Sequence, residues 1–415
     1  MAVNVKEAVD IIYNNSFNPK FEIVPIENAQ ARTCAQEVVA IHALPKFDNS
    51  AMDGYAILFE DSNNNLRVKK KIFAGDDVNF TLKTNTCVKI MTGAKIPLNA
   101  TAVVPQECVE LIDEEHIKVP DNITPFQHIR YIGEDIKEND VLIKIGTEIN
   151  SAQITLLSSQ GYTHIKVFKK PKVVVFSSGE ELKLHYEQVE NYQIYNSNTP
   201  TLLSRVKELG CDVSFIGGAK DSIESLSEFI KNSLDADLII TSGGVSVGEA
   251  DFTRDALNTF DYEVLFDGIK IKPGKPTVLG KIQDTLVLSL PGNPLAAAMI
   301  FEMFGKVILQ TLLGTKDIYH NTISTKISKE LKSRPGRVTL LPGYFNGQNF
   351  EVSSKNAPGM VSVLSGCNSF LVLHESVEKL SSNTEVKILP ITWKFMCESK
   401  KDYITKWLKK ELFVF

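Results

Sequence analysis

At 415 residues the chain is longer than one hydrophobic core usually serves, so two to four domains are expected. Its 43% hydrophobic and 23% charged residues are ordinary for a globular protein. A formal net charge of −5, with Lys and Arg dispersed, argues against a nucleic-acid partner.

The first residues, MAVNVKEAVDII, lack the apolar core of a signal peptide, and no stretch approaches the ~20 apolar residues of a membrane helix. Six cysteines lie far apart without a CxxC pair, which fits buried thiols in a reducing cytoplasm. Residues 4–16 and 27–40 carry helical spacing, as at Val5, Ala8, Val9 and Ile12. From Pro45 to about residue 144 the texture is that of short strands: KIFAG, CVKIM, TAVVP, CVELI and HIKVP between polar turns. Residues 151–160 return to helix, with Ser151 as the expected N-cap. After Pro171, KVVVFSS, CDVSFIGG, DLIITSGG and TLVLSLPGN are short, almost wholly apolar runs. Helical patterns at 198–209, 221–233 and 251–259 separate them, which predicts a parallel α/β sheet. A long helix at 294–313 precedes a β module over 320–390, with turns at RPGR, LPGY and NGQN. The tail from Trp393 to Phe415 has an amphipathic helical pattern.

In an open parallel sheet, ligands bind beyond the carboxyl ends of the strands, where loops meet helix N-termini. Those loops are here rich in Gly, Ser and acids. One holds Ser177, Gly179 and Glu181; a second holds Gly243, Gly244, Ser246 and Asp251; a third holds Pro291, Asn293 and Pro294. Glycines admit an anion close to the backbone, and free amides at a helix start can donate to phosphate oxygens. Glu181 and Asp251 would repel a bare phosphate, so they suit a bridging Mg²⁺. Any one such loop reads best as a plain turn; three at successive strand ends of one sheet favour a site. KPGKP places Lys272 and Lys275 across a Pro-Gly turn, where two compact charges suit a tetrahedral oxyanion or merely a solvated turn. FDNSAMDGYA holds Asp48 and Asp53, with an Asx-turn as the plainer alternative. GxSxG at Gly244–Gly248 invites an esterase reading, but no histidine can be nominated as its partner.

Taken in order, FDNSAMDGYA, MTGA, GEDI, GGVSVGEAD, KPGKP and LPGNP resemble the molybdopterin molybdenumtransferase family, to which the catalytic half of gephyrin is related. The resemblance runs from about residue 5 to 390. It implies an α/β multidomain fold whose central parallel-sheet domain is similar to molybdopterin adenylyltransferases. The implied division is 1–44 with 145–171 as a mixed linking domain, 45–144 as an inserted β-rich domain and 172–318 as the molybdopterin-binding α/β domain. A barrel-like β domain at 319–392 and a helical tail at 393–415 complete it. The resemblance further implies a homodimer that acts on adenylated molybdopterin and molybdate with Mg²⁺ and releases AMP. Transient contact with the pathway's adenylyltransferase is also implied. Position by position it assigns acids to Asp53, Asp135, Glu181, Asp221 and Asp251, with Thr92, Arg130, Lys272, Lys275, Pro291 and Pro294 as further site residues.

Four positions depart from the family pattern. Asn196 stands where relatives often carry Asp, Gly268 where a lysine is common (with Lys270 nearby), Pro342 for an arginine and Pro358 for a serine. Arg337 and Ser362 are the nearby polar replacements. Two other readings compete. An adenylyltransferase would need only the 172–315 region, and a non-catalytic pterin-binding scaffold would have little use for Asp53, Asp135 and Asp251.

Overall fold

A computed structural model describes residues 2–15, 19–179, 181–219, 222–243 and 252–392. Asp221, Gly244, Ser246, Asp251 and the tail therefore lie outside the described residues. The chain divides into two compact units, one spanning Phe21–Phe168 and the other made of the residues on either side of it.

The Phe21–Phe168 unit is β-rich. Its main sheet has six strands, in the order Ala102–Pro105, Gly54–Ile57, Thr86–Ile90, Asn65–Ile72, His116–Lys118 and Glu110–Leu111. Alternating side chains give it two apolar faces, one around Tyr55, Ile57 and Val104, the other around Ala56, Val88 and Val103. A separate core joins Ile26, Cys34, Val38, Ile149, Leu157 and Val167. The helix expected at 27–40 is absent. A single 3₁₀ turn, Ile26–Asn28, ends on Ala29, and Ala31 then takes a φ of 58° that no helix tolerates. The amides beyond it donate elsewhere, Cys34 to Thr147, Ala35 to Lys166 and Ala40 to Asp140. The helix Ser151–Ser159 forms, but Asn150 rather than Ser151 is its cap, in a reciprocal box with Gln153.

The other unit is built on a six-stranded sheet. Lys172–Ser178, Asp212–Ala219, Leu238–Ser242 and Thr285–Leu290 are mutually parallel; Asp212–Ala219 is the half-exposed edge, and the other three are buried on both faces. The sheet is nevertheless mixed, because Val278–Ile282 and Glu263–Asp267 add antiparallel strands beyond Thr285–Leu290. Gly280 lets that edge pair form: a Cβ there would collide with the Tyr262 ring at 2.3 Å. Ile240, Leu288 and Leu290 face one core, Phe176, Ile239 and Val287 the other. The helix Val5–Asn14 joins the first core through Ala8 and Ile12. The expected long helix runs from Pro294 to Leu312 with a π turn at Phe301–Gly305. Contrary to expectation, this 19-residue segment has the length and apolarity of a membrane span, but 83% of the window is buried, as in a core helix.

Residues beyond it close a five-stranded barrel of Ile323–Ile327, Val338–Phe345, Asn349–Val352, Ser369–Leu373 and Glu385–Pro390. RPGR and NGQN are turns, with Gly336 and Gly347 at positive φ. LPGY is not a turn; it lies inside the Val338–Phe345 strand. That strand changes partner at Gly343, which pairs with both Ser369 and Val352. A Cβ on Gly343 would meet the Glu351 carbonyl at 2.3 Å, so only glycine allows the three backbones to converge.

Candidate active site

The three Gly-rich strand ends surround a cleft of about 830 Å³ at the carboxyl edge of the parallel strands. Ser178, Gly179 and Glu181 line it from one loop, Ser242 and Gly243 from the next, and Pro291, Gly292, Asn293 and Pro294 from the third. The loops nearly touch. A Cβ on Gly243 (φ 96°) would stand 2.9 Å from the Ser178 carbonyl oxygen, and one on Gly292 would stand 3.7 Å from the Gly243 Cα. Gly179, at φ 140°, lies under the Glu181 carboxylate, whose oxygens sit 2.9 Å from where a Cβ would be. Glu181 itself is exposed and makes no side-chain hydrogen bond among the described residues.

Two asparagines tie this arrangement together, and sequence reasoning nominated neither. Asn198 Nδ2 donates to Ser242 Oγ at 2.7 Å and to the Gly292 carbonyl at 2.8 Å, joining two loops. Asn196 is buried; its Nδ2 donates to Ser177 Oγ at 2.8 Å and Thr199 Oγ1 at 3.0 Å, while Oδ1 accepts the Thr199 N–H at 3.1 Å. An Asp at 196 would have no N–H to give those hydroxyls, so the amide locks the floor without a buried charge. Ser177 is only 2% exposed and lies beneath the cleft; the adjacent Ser178 is the serine on its surface. The signal in the sequence was NSN running into the helix that starts at Asn198. Ile194, Tyr195, Phe252 and Val361 add apolar wall that no motif announced.

The third loop differs from expectation at its helix start. Leu295 and Ala296 donate their N–H groups to the Pro358 carbonyl at 2.9 and 3.4 Å, and Ala297 donates to the Asn293 carbonyl at 2.9 Å. Pro294 has no N–H. No free amide is left in this first turn for a phosphate, because a backbone carbonyl from the barrel module caps it. Proline serves that role as well as serine, which accounts for Pro358, and Gly359 and Val361 beside it line the cleft.

Of KPGKP, Pro276 lines the cleft, while Lys272 and Lys275 are exposed. Gly274, at φ 109°, packs so tightly on Ile300 that a Cβ would overlap it at 2.2 Å. That anchor holds the turn against the helix and turns both lysines outward. Ile271 and Lys272 pair in parallel with Val338 and Thr339, so the exposed Arg337 enters beside the same strand. Gly268 has φ 87°, a conformation that strains a lysine, and its N–H donates to the Thr277 carbonyl at 2.9 Å.

The Phe21–Phe168 unit gathers a second set. Asp53 Oδ1 accepts the Thr92 N–H at 2.7 Å and the Thr92 hydroxyl at 2.8 Å. Those bonds, the backbone one foremost, hold the Asp53 carboxyl below the usual range, with help from Lys71 and Lys89. Asn49–Ser50 pairs with Ile129–Arg130, placing Arg130 opposite Asn49, and Ser50 exchanges backbone bonds with Gly93 and Ala94. FDNSAMDGYA, MTGA and GEDI, with the Ile129–Arg130 strand before it, thus meet, and Asp53, Thr92, Arg130 and Asp135 are all exposed there. Asp135 follows on the next turn, its N–H on the Leu44 carbonyl at 3.0 Å.

Comparison with known proteins places these geometries in context. Residues 3–161 match the MoeA N-terminal region (domains I and II), 174–311 a probable molybdopterin binding domain, and 325–391 the MoeA C-terminal region (domain IV). The molybdopterin molybdenumtransferase of Haemophilus influenzae is 36% identical over 386 residues, covering 90% of this chain and 95% of that one. Molybdopterin molybdenumtransferase 2 of Mycobacterium tuberculosis is 32% identical, covering 89% and 95%. A molybdopterin biosynthesis MoeA protein from Pyrococcus superposes with a TM-score of 0.83 at 30% identity, covering 95% of this chain and all of that one.

Proposed function

The chain belongs to the molybdopterin molybdenumtransferase family, and on that premise we propose how its cleft serves the transfer. It is a transferase of molybdenum cofactor biosynthesis. In our reading adenylated molybdopterin lies in the 830 Å³ cleft, with the adenylate phosphates over Ser178, Gly179 and Gly243. The exposed Lys272, Lys275 and Arg337 present molybdate to the dithiolene. Two Mo–S bonds form as two Mo–O bonds of molybdate break. One of those oxygens passes, directly or by way of water, to the adenylate phosphorus as the phosphoanhydride bond breaks and AMP leaves, and the other departs as water with the two thiol protons. Catalysis is then mostly positioning in a preorganised polar site. The observation that carries this reading is the convergence of three Gly-rich strand ends, tied by Asn196 and Asn198, on one cleft.

Mg²⁺ belongs to the proposal. Among the described residues no three His, Cys, Asp or Glu side chains gather into a cage. Glu181 offers on the cleft a carboxylate with no side-chain partner among the described residues, and that fits an ion taking one or two carboxylates plus substrate phosphates, with Asp251 as the second. Bound there, it would neutralise charge on the phosphates.

We also propose a homodimer in which the Asp53, Thr92, Arg130 and Asp135 patch of one subunit completes the cleft of the other. Phe47, Met52, Tyr131 and Ile132, exposed beside those residues, support an interface. Transient contact with the pathway's adenylyltransferase completes the partner set. A cytoplasmic location suits the five free cysteines among the described residues. The test is turnover of adenylated molybdopterin with molybdate and Mg²⁺. AMP release that depends on molybdate is expected; tight binding of the pterin without AMP release would leave a scaffold instead.

A further inference from the structure

An Asn in the N-cap position ordinarily turns its side-chain oxygen onto the second or third amide of the helix. Asn293 has the cap backbone, with φ −65° and ψ 125°, yet makes no such bond. The two amides it would serve, those of Leu295 and Ala296, already donate to the Pro358 carbonyl. Its own carbonyl still accepts the Ala297 N–H, so the main-chain half of the cap remains while the side chain is released. That side chain is exposed and lines the cleft, with Oδ1 3.6 Å from where a Cβ on Gly359 would stand. Gly292 is held by Asn198, so the position of Asn293 does not depend on its own amide. A primary amide so placed can give two N–H bonds to an anion without adding charge.

We propose that Asn293 is a ligand for a tetrahedral oxyanion in the cleft, freed for that task because the Pro358 carbonyl caps its helix. The inference rests on the reaction assigned to the cleft above, which must hold both a phosphate and molybdate.

Asp caps a helix about as well as Asn but has no N–H and repels an anion, so Asn293→Asp separates the two roles. Full-length wild type, Asn293→Ala and Asn293→Asp are melted, then titrated by calorimetry with AMP and, separately, with molybdate. The three proteins should melt together. Asn293→Ala should weaken one probe about 10-fold, and Asn293→Asp should weaken the same probe further. Loss of AMP binding would identify the phosphate as the partner, loss of molybdate binding the metal oxyanion. If Asn293→Asp binds both probes like wild type while Asn293→Ala melts lower, Asn293 is a cap and the proposal falls. Equal binding by all three proteins, with normal turnover by wild type, overturns the proposal and leaves the reaction standing. A wild type that releases no AMP from adenylated molybdopterin overturns both.

Discussion

The cleft and the Asp53 patch use hydrogen bonds in opposite ways. Under the cleft, Asn196, Ser177 and Thr199 are 5%, 2% and 1% exposed and satisfy one another out of reach of water. In the patch, Asp53, Thr92, Arg130 and Asp135 are all exposed, and the Asp53–Thr92 bonds compete with solvent. Burial makes the first set a fixed scaffold. The second set gains force only when something covers it, since a hydrogen bond strengthens as water is excluded. The ion pairs divide the same way. Arg205 and Glu302 pair inside the α/β unit at 16% and 6% side-chain exposure, whereas Arg67 and Glu115 pair on the other unit at 53% and 60%.

That contrast can be broken by measurement. Glu302→Gln should cost about 3 kcal/mol, the low end for opening a buried pair, because Arg205 keeps Glu208 and the Ile391 carbonyl. Glu115→Gln should cost at most ~1 kcal/mol. Comparable losses in denaturant unfolding would erase the distinction. In the cleft, Glu181→Gln should lower AMP release about 100-fold with the melting temperature kept, since Glu181 bonds no other side chain among the described residues, and excess Mg²⁺ should restore part of it. Asp251→Asn should behave alike. Full activity in either folded variant removes that residue from the proposed metal site. Lys275→Gln should raise the molybdate requirement about 10-fold and leave pterin binding unchanged. An unaltered molybdate dependence would make KPGKP purely structural.

Two smaller effects concern protons. Burial pushes the His320 imidazole below its ordinary 6.5, partly opposed by its Nε2 hydrogen bond to the Met303 carbonyl at 2.8 Å. The unfolded chain therefore takes up the proton first, so stability should fall as pH drops through 6.5 and level off below the folded value. His320→Gln should flatten that slope. The Asp53 carboxyl, held low by Thr92, contributes fully to stability above its unfolded value of 3.8, and the contribution fades as pH falls from there through the folded value. Thr92→Val should raise the Asp53 titration seen by NMR without abolishing the shift, because the backbone bond remains; a shift that vanishes would give the hydroxyl the whole effect.

Much of the α/β unit was legible because its signals are local. Apolar runs such as KVVVFSS and DLIITSGG are buried in a sheet covered on both faces, and the Gly, Ser and acid residues ending them mark where loops open to a ligand. LPGNP ends the Thr285–Leu290 run in the same way, and Pro291 to Pro294 line the cleft. What stayed hidden depends on partners distant in the chain. Residues 27–40 have helical spacing, but their amides find acceptors at Asp140, Thr147 and Lys166. LPGY looks like a turn until Gly343 is seen between two neighbouring strands. The amides after Asn293 look free until the Pro358 carbonyl arrives from the barrel module. Periodicity and turn chemistry record what a segment can do alone; which donor meets which acceptor is decided by the closure of the chain around them.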